Sequence, residues 1–168
     1  MLAEYLLAAK YEPKNPAWQA SIGDAQLRRG DLLAALTAYK RATELSPNEA
    51  TYWRLLAIFC AENGVQVEDV GLPAAQKAVE LAPDDPEVLD ALGWSYLASG
   101  RYASAEQTLR DVISRVPKYL PAHVHLAMTY LAQSNHAAAF SELTYVRDAD
   151  ANGSNGEFAR QLLDRYFP

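Results

Sequence analysis

PEVLDALGWSYLASGRYASAEQTLRDVISRVP, residues Pro86–Pro117, reads as two helices folded back on each other. Leu89, Leu92, Gly93 and Tyr96 recur at the three- and four-residue spacing that places side chains on one helical face. Tyr102, Ala105, Leu109 and Val112 repeat that spacing after a break. The break is Gly100, a residue that takes the left-handed conformation closing a helix. Asp85–Pro86 supplies an N-cap followed by proline at the first helical position. Pro117 ends the second helix, because the residue before a proline is pushed out of the helical region. Gly93 sits inside its helix, where glycine costs about 1 kcal/mol against alanine. A small residue there implies that another helix passes close by.

On either side the same punctuation recurs. Pro13, Pro47, Pro83 and Pro117 are 34, 36 and 34 residues apart, and one further step of 34 lands on Ala151. Gly30, Gly64, Gly100 and Ser134 follow the same steps, as do Gly23, Ala57, Gly93 and Ala127. Ala8, Ala42, Ala78, Val112 and Val146 make a fourth track in one register. Internal periodicity of this length is the signature of a repeat array. The spacing predicts helix pairs over 16–29/32–45, 49–63/68–82, 86–99/102–116 and 120–133/136–149. Asn15–Pro16 is a second cap-and-proline start, and Asn48 is a cap candidate. No segment shows sustained strand alternation.

This pattern resembles the tetratricopeptide repeat, whose 34-residue period and Trp/Leu/Gly/Tyr–Ala–Phe–Pro positions it shares. Leu89, Leu92, Gly93, Tyr96, Ala105, Leu109 and Pro117 carry the resemblance in one unit, and Gly23, Ala35, Tyr39, Ala42 and Pro47 in another. The resemblance implies an all-α fold: a right-handed superhelical stack of antiparallel helix pairs, an α-solenoid, with a C-terminal capping helix. The expected division is a half repeat over 1–14 and repeats over 16–49, 50–85, 86–119 and 120–153. A capping helix over 154–168 follows. The half repeat is read as a fragment edge or as an array starting on a second helix.

Two units depart from the pattern. Repeat 2 is two residues long, with the surplus in Val65–Val70, read as a lengthened surface turn. Proline inside a helix costs about 3 kcal/mol, so the next helix is expected to begin near Asp69 or Leu72, with Pro73 in its first turn. Repeat 4 has Ser134 for glycine and Ala151 for proline, as terminal repeats often do. The tail helix is expected to be capped by Ser154 or Asn155, with Phe158, Leu162, Leu163 and Tyr166 as its apolar face.

Composition narrows the function classes. The 168 residues are 50% hydrophobic, enough for a continuous core, and carry a net charge of −6. That charge argues against a nucleic-acid partner, since phosphate binding needs clustered Lys and Arg. No stretch reaches the roughly 20 apolar residues of a membrane span, and Met1–Lys10 lacks the basic start of a signal peptide. The sequence leans cytoplasmic. The lone Cys60 excludes an internal disulfide and falls on the buried tyrosine position of its repeat, so it is read as core. His123 and His125 are two apart and diverge on a helix, which argues against a shared metal. No phosphate loop, nucleophile elbow or carboxylate pair is present, so neither enzyme nor cofactor is expected. Asn152–Gly153–Ser154 matches a glycosylation sequon, but the adjacent glycines read as a plain linker.

By resemblance to the family, the second, fifth, ninth and twelfth positions of each first helix point into a concave groove. The fifth are Ala20, Arg54, Asp90 and Val124; the ninth are Asp24, Ile58, Trp94 and Met128; the twelfth are Leu27, Ala61, Leu97 and Leu131. Trp94, Leu97, Met128 and Leu131 are expected to form one apolar patch with Asp90 and His125 beside it. Two readings of Trp94 stand: a partner-binding residue, or one packed within its own array. The basic clamp with which some family members hold acidic chaperone tails is replaced here by Ala20, Asp24, Leu55, Glu87 and Ala91. Tight, salt-sensitive binding of such a tail would contradict this assignment. The leading function is a scaffold that binds a peptide or helix of a partner protein. The alternatives are a targeting or regulatory segment of a larger enzyme, and a self-associating homo-oligomer module.

Overall fold

The computed structural model describes residues 2–168; Met1, the first residue of the expected half repeat, lies outside them. Its helices are α1 (Leu2–Tyr11), α2 (Pro16–Arg28), α3 (Leu32–Leu45), α4 (Ala50–Asn63), α5 (Leu72–Leu81), α6 (Pro86–Ala98), α7 (Tyr102–Arg115), α8 (Leu120–Ala132), α9 (His136–Ala149) and α10 (Ser154–Tyr166). No strand occurs among the described residues. The helices pack as antiparallel pairs: α2 with α3, α4 with α5, α6 with α7 and α8 with α9.

The small-residue track explains each pair. A Cβ on Gly23 would lie 2.9 Å from the Tyr39 ring, and one on Gly93 would lie 2.6 Å from Leu109. Ala57 and Ala127 occupy the same place and are wholly buried. The first helices therefore sit directly against the second. Gly30, Gly64 and Gly100 turn the chain with φ of 78°, 64° and 73°, and Ser134 holds the same left-handed conformation at 60°.

Caps follow the expectation at Asn15, whose side chain accepts from Ala17 N, and at Asp85, which accepts from Glu87 N. Two expected caps are corrected. Helix α4 starts one residue later than predicted, so Glu49 is its N-cap and Asn48 falls outside. At α10, Ser154 is already helical, and the free amides of Asn155 and Gly156 donate instead to the Asp150 carboxylate at 3.1 and 3.3 Å. The glycines there are more than a linker. A Cβ on Gly156 would collide with the Asp150 carbonyl oxygen, so α10 seats on the end of α9 only because Gly156 has none.

The surplus of repeat 2 is also not a plain turn. Val67–Gly71 forms a π-helical turn running straight into α5, with Pro73 in the first turn of that helix. The wider i→i+5 ring takes up extra residues without breaking the helix. Gly71 presses on Cys60, where an added Cβ would meet the Cys60 Cβ at 2.6 Å. This explains why a small residue stands where other repeats have Tyr96 and Tyr130. Cys60 is fully buried, and burial pushes its thiol up to about 11.

Curvature follows from which rows touch. Helix α4 contacts α2 and α6, and α8 contacts α6 and α10. The second helices α3, α5, α7 and α9 make no contact with one another. A row packed more closely than its opposite lies on the inside of the bend, so α2, α4, α6, α8 and α10 form the concave layer.

Candidate functional site

The concave layer separates the expected site residues into three groups. On α2, Asp24 accepts a hydrogen bond from Tyr39 Oη at 2.5 Å, and Leu27 packs against the first core cluster. Burial, and then the Asp24 carboxylate, hold the Tyr39 phenol well above its usual range. Asp24 thus ties α2 to its own repeat, and Leu27 joins a cluster shared by the first two repeats. On α4, Arg54 pairs with Glu87 of α6 at 3.0 Å, bridging two repeats.

Ile58, Asp90, Trp94 and His125 line one hollow of about 390 Å³. His125 Nδ1 and Asp90 Oδ1 lie 2.8 Å apart, and both side chains are only 8% exposed. The Trp94 indole tilts over the His125 ring at 4.0 Å. Trp94 is therefore packed on a ring of its own array while remaining half-buried beside the hollow.

Leu97, Met128 and Leu131 line a second hollow of about 320 Å³, closed by Leu162 and Tyr166 of α10. The four apolar residues expected as one patch thus fall in two adjacent hollows, with Trp94 in the polar one. A larger hollow of about 700 Å³ lies on the outer side between α1 and α3, beside Leu6 and Leu33, and holds none of these residues.

Glu62, Tyr119 and Phe158 are among the residues of the Trp94 hollow that sequence reasoning did not place there. Phe158 carried a signal. Repeat starts at Pro16, Ala50, Pro86 and Leu120 continue in step to Ser154, which makes Phe158 the fifth position and Leu162 the ninth of a further first helix. Tyr119 lies in the turn before α8, outside the family's groove positions.

The electrostatics here are acidic. Burial first, and then the Asp90, Glu87 and Asp85 carboxylates, raise the Tyr119 phenol, with Arg54 opposing them. Partial enclosure raises the Glu62 carboxyl, with His125 opposing. His123 faces the other way. It bonds to Glu142 through Nδ1 at 2.6 Å and to the Pro117 carbonyl through Nε2 at 3.0 Å. No group of three or more His, Cys, Asp or Glu is placed to hold a metal among the described residues. None of the described helices is long and apolar enough to cross a membrane.

This layered geometry agrees with comparison to known proteins. A tetratricopeptide repeat profile matches residues 2–50, 21–86 and 91–155, and a second such profile matches 74–107. The chain belongs to the tetratricopeptide repeat family. It is 33% identical over 97 residues to the PEX5-related protein of Homo sapiens, covering 58% of this chain. It spans 15% of that relative's length. The fold is similar to that of TTC0263, a thermophilic tetratricopeptide protein of Thermus thermophilus, with a TM-score of 0.77 at 17% identity over 98% of this chain and 87% of that one. It is similar too to YrrB, described as a tetratricopeptide protein with an unusual peptide-binding site, with a TM-score of 0.66 at 19% identity over 95% of this chain and 81% of that one.

Proposed function

We propose that this chain is a protein–protein interaction scaffold that holds a peptide or helix of a partner along the groove of α4, α6, α8 and α10. One observation carries the reading: Ile58, Trp94, Leu97, Met128 and Leu131 all line hollows on the inner row that the chain's own side chains do not fill. Apolar surface left open in a concave setting marks interaction sites. A large, half-buried tryptophan at the centre fits the chemistry of an energetic hot spot, where truncation costs about 2 kcal/mol or more. The peptide-binding site named for YrrB gives this reading a precedent on the same fold.

The test is a pull-down with the wild type against a Trp94→Ala/Met128→Ala variant, read by mass spectrometry, with circular dichroism confirming that the variant is folded. Proteins captured by the wild type and lost by the variant support the groove. The same set captured by both refutes it.

A further inference from the structure

The two hollows of the groove differ in kind. The one against Leu97 is apolar, whereas the one around Trp94 holds polar groups with hydrogen-bonding capacity left over among the described residues. Asp90 uses one carboxylate oxygen for His125; among the described residues its second oxygen accepts no hydrogen bond, although the side chain is 8% exposed. Glu62, Tyr119 Oη and Trp94 Nε1 likewise make no hydrogen bond among the described residues, yet Glu62, Trp94 and Tyr119 all line this hollow. A ligand that enters the hollow displaces water from these groups, which is costly unless it supplies donors in return.

Three aromatic rings from separate elements complete the lining: Trp94 of α6, Tyr119 before α8 and Phe158 of α10. Ring faces attract cations, most strongly when the cation leaves water. Arg54, whose charge acts on Tyr119, already faces Glu87 at 3.0 Å. Of the natural side chains, lysine and arginine place an apolar stem against rings while delivering a charged donor to carboxylates. A glutamate would meet like charge, and a leucine would bring no donor to Glu62 or to the second Asp90 oxygen.

We propose that this hollow receives a lysine or arginine side chain of the bound polypeptide. The proposal rests on the scaffold reading above and specifies its chemistry. The basic head lies between Asp90 and Glu62, and its stem lies among Trp94, Tyr119 and Phe158.

The experiment is an NMR titration of the whole, isotope-labelled chain with Nα-acetyl methylamides of lysine, arginine, norleucine and glutamate. The lysine and arginine probes are expected to shift the Trp94 indole N–H and the Phe158 amide saturably. Norleucine is expected to bind at least about fivefold more weakly, the factor a cation–π contact with charge pairing supplies. Glu62→Gln, a rim substitution that leaves the amide spectrum of the rest intact, is expected to weaken the lysine probe severalfold. Absence of saturable shifts, equal binding of norleucine, or an unchanged Glu62→Gln would each overturn the proposal. Failure here with Trp94-dependent capture in the pull-down refutes the cation subsite and leaves the scaffold standing. Cation binding without such capture supports the cation subsite and refutes the scaffold.

Discussion

His123 and His125 stand two residues apart on α8 and serve opposite faces. The divergence was legible, because residues two apart on a helix cannot share a side. Their partners were not, since Glu142 and Asp90 lie 19 and 35 residues away in sequence. Burial alone would lower the His123 pKa. The hydrogen bonds to Glu142 and the Pro117 carbonyl, with the Glu142 charge, outweigh it, and the net direction is upward from 6.5. A raised folded value means that protonated His123 stabilises the fold fully below about pH 6.5. That stabilisation is lost as pH rises through the folded value. His123→Gln is therefore expected to flatten the stability difference between pH 6 and pH 9 measured by urea unfolding at each pH. An unchanged slope would show that this imidazole carries no proton linkage.

Among the helices, α10 continues the register of the first helices. Phe158 and Leu162 stand at its fifth and ninth positions, toward the groove. The face that would meet a following helix carries Gln161 and Asp164, where earlier repeats have residues such as Ala127 and Tyr130. Gln161 and Asp164 are exposed. Seating depends on Gly156. Helix propensity alone would make Gly156→Ala stabilising by about 1 kcal/mol. The Asp150 carbonyl oxygen that the new Cβ would strike is backbone and cannot move aside alone. The clash wins if α10 must lift, because Ala159, Leu162 and Leu163 are buried under it. Gly156→Ala is expected to lose at least about 2 kcal/mol in chemical denaturation, the range for partly unburying two leucines. A stabilised variant would show that the helix end accommodates the methyl.

The whole molecule is a one-dimensional stack in which stability is a sum over neighbouring contacts. Helix α1 has no buried residue and contacts α2 alone, while Leu6, Leu7 and Tyr11 are 51%, 54% and 79% exposed. Helix α8 is held by α6, α7, α9 and α10. Native-state hydrogen exchange is expected to find α1 amides opening at least about 100-fold more readily than those of α8, since local opening ranges from near zero up to the global free energy. Equal protection would mean that the array unfolds as one unit.

The repeat is readable from the chain alone, because a 34-residue register of small residues, apolar faces and prolines has no other consistent packing. That register placed the helices within a residue or two, except the start of α5, expected at 68 and found at Leu72 behind the π-turn, and it foretold the close approaches at Gly23 and Gly93. Packing between repeats settled the rest: the π-turn over Cys60, the role of Asp150 at α10, and the separation of Trp94 from Leu97, Met128 and Leu131. The difference is one of range. Periodicity reports which face of a helix is buried. The partner on that face comes from a side chain in another repeat, as Asp90 does for His125 and as Phe158 does for the hollow beside Trp94.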